Sequence, residues 1–191
     1  MTLRVYSTED LQQNQKIGMH LVSNESVVYF IDTDNITQTI LMKLGPMYIT
    51  DIIESVETNV QLVTFLWKNT TLDFLDKDAC EYFKKFLPDD KSIAVTWVPS
   101  VKTMNNIDYF FVPISQHCTA FDNNDNTIDT NDCLTKGNLI ETIIAVKGFR
   151  YCYDDNEKEF TCEIMYEIFQ AKFVDVTVPR LEKCEISLFS T

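Results

Sequence analysis

The chain has 191 residues, 45% of them apolar and 12% aromatic, which is enough for a folded core and excludes disorder along most of its length. A formal charge of −13, spread over both halves, disfavours nucleic-acid or membrane binding through bulk charge. No apolar run approaches the ~18 residues of a membrane span, and the start "TLRVYSTEDLQQNQK" has no signal-peptide pattern, so the expectation is an intracellular protein of cytoplasm or nucleus.

"SVVYFID", ending at Asp32, is the first run of strand type, β-branched and aromatic on both faces. In "ITQTILMKL", Ile36, Ile40, Met42 and Leu44 alternate with Thr37, Thr39 and Lys43, which predicts a strand with one wet face. The next segment, "YITDIIESVET", spaces Ile49, Ile52, Ile53 and Val56 as one helix face, with Thr50 to cap it and Asp51 and Glu54 in the first turn. "VQLVTFLW" returns to strand. A second helix is expected in "DKDACEYFKKFLP", capped by Asp76, with Cys80, Phe83 and Leu87 as its apolar stripe and Pro88 as its stop.

"SIAVTWV" and "IDYFFV" read as further buried strands, followed by a long polar loop near 119–137. Residues 149–168 read as a hairpin around an acidic turn, with Phe160, Cys162, Ile164, Tyr166 and Ile168 on one face and Cys152 opposite Cys162. "KFVDVTV" continues as strand to Pro179, and "CEISLFS" forms a last edge strand. The fold class expected is α+β, predominantly antiparallel β of meander or sandwich type, with about nine strands and two short helices in a single domain over residues 1–191.

The order "TILMKL", "YITDIIESV", "VQLVTFLW", "TTLDFL" resembles half of a sliding-clamp domain, in which a sheet carries short helices on its inner side. The resemblance covers roughly 60 residues and rests on element order. It implies a clamp-like subunit of a DNA-maintenance complex, although neither expected helix is strongly basic.

Polar motifs are few. "FDNNDNTIDTND" places Asp122, Asn124 and Asn126 at the first three ligand positions of a calcium loop, but Thr127 stands where the turn needs Gly and Cys133 where the bidentate Glu belongs. A solvated loop is expected, with no metal and no cofactor. His117 and Cys118 are neighbours on an expected strand and so face opposite ways, which removes them as a nucleophile–base pair. His20 is the other histidine, and no local signature joins it to a thiol. Gly18, Gly45, Gly137 and Gly148 are isolated, so phosphate-cradling loops and nucleophile elbows are absent. Acid pairs such as Asp32/Asp34 and Asp89/Asp90 read as solvated faces. The densest bases, Lys77, Lys84, Lys85 and Lys91, are offset by Asp78, Glu81, Asp89 and Asp90.

Six cysteines without a C-x-x-C pair fit reduced thiols, whereas sequons at Asn24, Asn35 and Asn69 favour the alternative of a secreted or viral receptor- or ligand-binding β-sandwich protein. The primary expectation is a non-enzymatic adaptor or obligate subunit of a protein complex. Its partner would be another protein subunit, with no nucleic acid and no membrane, and it would bind through an edge strand or apolar patch made by Phe173, Val174, Val176, Val178 and Leu188.

Overall fold

The computed structural model describes residues 5–6, 10, 17–21, 27–32, 39–54, 60–66, 70–85 and 94–175. Its strands are β1 (Val5–Tyr6), β2 (Ile17–Leu21), β3 (Val27–Asp32), β4 (Ile40–Glu54), β5 (Val60–Leu66), β6 (Ala94–Trp97), β7 (Val101–Met104), β8 (Ile107–Phe121), β9 (Thr127–Ile128), β10 (Leu139–Asp154) and β11 (Glu159–Phe173). Among the described residues run the helices α1 (Thr70–Lys84) and α2 (Thr130–Cys133). The architecture is mostly β and mostly antiparallel, with parallel pairs at β1–β4, β6–β11 and β8–β11.

Five long strands close on themselves. β4 pairs with β5, β5 with β8, β8 with β11, β11 with β10, and β10 returns to β4. Ring closure pairs most of both edges of these strands and creates an inside, which they fill on alternate residues. Met42, Met47 and Ile49 of β4, Leu62 of β5, Phe110 and Val112 of β8, Ile140 and Ile144 of β10, and Ile164 and Ile168 of β11 all belong to one buried cluster. Thr64, also buried, donates its hydroxyl to the Phe110 carbonyl at 3.1 Å, so its polar atom costs little inside. The face expected for Cys162, Ile164, Tyr166 and Ile168 is the inner one, and Phe160 packs half-buried against it.

The segment expected to be the first helix is the second half of β4. Its register against β5 shifts between Ile49 and Asp51, a bulge that adds one residue to β4. An inserted residue turns a spacing of two into three, so Ile49 and Ile52 share a side without any helix. The clamp-like order of elements fails with it. The second helix does form, but it starts at Thr70 and buries Leu72, Leu75, Ala79 and Phe83, while Cys80 is only half-buried. Asp76 therefore lies inside the helix rather than at its cap. Leu87 and Pro88 lie outside the described residues.

Within the expected polar loop, β8 runs on to Phe121, and β9 and α2 follow. The β10–β11 hairpin places Tyr151, not Cys152, opposite Cys162, and pairs Cys152 with Thr161. This one-residue slip puts Cys152 on the exposed outside and Cys162 in the core, and both are free thiols. β7 and β8 turn through Asn105 and Asn106 with φ of 54° and 61°, the two-residue loop whose twist matches the strands. β11 ends at Phe173, so the expected strand to Pro179 stops early. Val176, Val178, Leu188 and "CEISLFS" lie outside the described residues.

Candidate functional site

Across the outside of the ring, β8 and β11 part company. β6 occupies the edge of β11 from Glu159 to Cys162, and β8 joins only from Ile168 onward, where it meets Ile114. From Glu163 to Glu167, among the described residues, no strand pairs with β11 on that side. The gap is a groove of about 770 Å³. β8 bulges around it, since Thr119 is the next residue to find a β11 partner after Ile114. The intervening Ser115, Gln116 and His117 line the groove.

Residues from four strands and one connection converge there. Lys102 comes from β7, Phe111 and His117 from β8, and Lys147 and Arg150 from β10. Lys147 and Arg150 are three apart and would face opposite sides of a regular strand. A register shift between Val146 and Gly148, with Gly148 at φ 131°, adds a residue to β10 and leaves both side chains exposed on the outside. Lys102 Nζ stands 5.5 Å from the Phe111 ring centre, so a cation and a half-buried aromatic face form one wall.

The floor carries acids. Arg150 Nε donates to Glu163 Oε1 at 2.9 Å, and Lys147 Nζ pairs with Glu167 Oε2 at 3.0 Å. Burial raises the Glu167 carboxyl, but the Ser115 hydroxyl, the Lys147 ammonium and His117 outweigh it and hold the group below its ordinary value. Met165 lies between the two glutamates and also lines the groove.

The remaining wall, Val98 to Lys102, is fixed from behind by α1. Asp76 accepts hydrogen bonds from Trp97 Nε1 at 3.2 Å, the Ser100 backbone N–H at 2.7 Å and Ser100 Oγ at 2.6 Å. Ser100 Oγ also lies 3.0 Å from the Tyr166 hydroxyl. Burial raises the Asp76 carboxyl and its three hydrogen bonds lower it, burial winning. Burial also pushes the Tyr166 phenol well above its usual range, so it stays protonated. The sequence offered Asp76 as a cap, and its tertiary role was not visible there.

The other sequence candidates are placed elsewhere. Asp122 spends both oxygens on its own turn, accepting from the backbone N–H groups of Asn124 and Asn126 at 2.8 and 2.9 Å and from the Asn126 side chain at 2.9 Å. No group of three or more His, Cys, Asp or Glu side chains suited to a metal occurs among the described residues. His117 is exposed, whereas Cys118 is half-buried against the core and its thiol is pushed up to about 11 by burial. Phe173 packs half-buried against the core and pairs with Ile140, and Val174 donates its N–H to the Leu139 carbonyl at 2.9 Å. A second cavity, of about 290 Å³, has Lys43 neutralised by Glu141 and Lys172 by Asp125. Among the described residues, no helix is long and apolar enough to cross a membrane.

No protein-family model matches this chain, and no curated protein does. Among solved structures, it is similar to the single-stranded DNA-binding protein of bacteriophage Enc34 in complex with single-stranded DNA, at 8% identity and a TM-score of 0.45 over 84% of this chain and 96% of that one. The same phage protein without its C-terminal part gives 9% and 0.43 over 84% and 97%, and the protein alone gives 8% and 0.44 over 88% and 98%. These proteins belong to a DNA-binding class. The expectations of a protein-complex adaptor and of no nucleic-acid partner run against these neighbours, which are named as single-stranded DNA-binding proteins.

Proposed function

We propose that this chain binds single-stranded nucleic acid along the groove between β8, β10 and β11, and that it does so without catalysing a reaction. The observation that carries this is the convergence of Lys102, Lys147 and Arg150 with the Phe111 ring in one open groove of an otherwise acidic molecule. Cations track the phosphates of a single strand, and an aromatic face stacks its unpaired bases, worth roughly 1–3 kcal/mol per base. The ring adds support, because a five-stranded Greek-key barrel is the architecture of the OB-fold, which binds oligonucleotides. Net charge misleads here because phosphates respond to the field nearby, screened beyond about 8–10 Å at physiological salt. On this basis the site of action is intracellular.

The test is fluorescence anisotropy of a labelled oligo-dT strand across a salt series. Three phosphate contacts should give a slope of log affinity against log salt of about −2, at about −0.7 per contact. Absence of binding at low salt, or binding indifferent to salt, would sink the proposal.

A further inference from the structure

We infer that Glu163 and Glu167 set the selectivity of the groove for a single strand over a duplex, by holding Arg150 and Lys147 in the free protein and repelling the denser phosphate array of a double helix. This rests on the nucleic-acid function proposed above. Both glutamates lie on the outer side of β11, two residues either side of Met165, where β11 has no strand partner on that side among the described residues. They are therefore built into the floor of the groove, and any ligand that reaches Arg150 or Lys147 must meet them.

Two of the three basic groups already have a carboxylate partner, Arg150 with Glu163 and Lys147 with Glu167, while Lys102 stands over the Phe111 ring. A single strand can exchange one phosphate for one carboxylate and recover the loss by turning its bases onto Phe111 and Met165. A duplex cannot, because its bases are stacked inside and its two backbones bring one charge per roughly 1.7 Å of axis. The same two carboxylates thus cost the duplex more than the strand. The pairs are solvent-exposed, with side-chain exposures of 63% and 37% for Arg150 and Glu163, so exchange demands no rearrangement of the core.

The experiment compares oligo-dT and a duplex of equal length on the full chain and on Glu163→Gln/Glu167→Gln, with Asp51→Asn/Asp132→Asn as a control for the same charge change outside the groove. Glutamine keeps the side-chain length and can still accept from Ser115. One like charge at contact distance in water changes affinity about fourfold, so two should raise duplex affinity about tenfold or more. Strand affinity should rise about threefold or less, and the control should move both ligands slightly and equally. Equal rises for both ligands, no change in either, or a fall in strand affinity would each overturn the inference. If the unaltered chain binds oligo-dT well and only the selectivity fails to move, the groove stands and the filter falls. If the unaltered chain binds neither ligand at low salt, the nucleic-acid function fails and the filter with it.

Discussion

Replacing Lys147 and Arg150 together by alanine should lower oligo-dT affinity about 100-fold or more while leaving the fold intact. Each side chain offers a charge-assisted contact worth roughly 1.5–3 kcal/mol, and tenfold in affinity corresponds to about 1.4 kcal/mol. Removing them also strips Glu163 and Glu167 of their partners, so the floor that remains repels phosphate. Stability should change by no more than about 2 kcal/mol, because the two exposed ion pairs contribute roughly 0–1 kcal/mol each. Binding by anisotropy and unfolding by denaturant, measured on the same preparation, separate the two effects. Unchanged affinity in the folded double variant would remove the groove as the binding site.

Phe149→Ala should produce the largest loss of stability, about 3–5 kcal/mol, out of a total that for such a domain is roughly 5–15 kcal/mol. Phe149 is 1% exposed and ties α1 to the ring, with its ring centre 5.3 Å from Phe83 and 5.8 Å from Trp97. Phe83 in turn packs on Phe160 at 5.6 Å, so truncation opens a cavity bounded by several rings rather than a gap that one neighbour can close. Urea unfolding followed by Trp fluorescence reads the change. A loss below about 1 kcal/mol would mean that α1 is held by other contacts, chiefly the Asp76 hydrogen bonds.

Regular alternation was legible in the sequence, and irregularity was not. Residues from Cys162 to Ile168 keep strict period two, and their buried face is the one expected. β4 carries a bulge, so its isoleucines fall at helical spacing although every one of them lies in a strand. The same device hid the site, since only the added residue near Gly148 brings Lys147 and Arg150 to one side. Lys102 and His117 come from separate strands, and no sequence window holds them together with β10. The densest bases in the sequence, Lys77, Lys84, Lys85 and Lys91, are neighbours along the chain but offset by Asp78, Glu81, Asp89 and Asp90, whereas those of the groove come from separate strands. Asp76 shows a further limit: a carboxylate early in an expected helix reads as a cap, whereas its donors, Trp97 and Ser100, lie 21 and 24 residues away.

The most direct test of the groove is amide chemical-shift mapping of the isotopically labelled chain titrated with oligo-dT. The largest shifts should fall on Ser115, Gln116, His117, Lys147, Arg150 and the stretch from Glu163 to Glu167, with Phe111 as the aromatic reporter. Shifts confined to another face, with these residues unmoved at saturating oligonucleotide, would contradict the account.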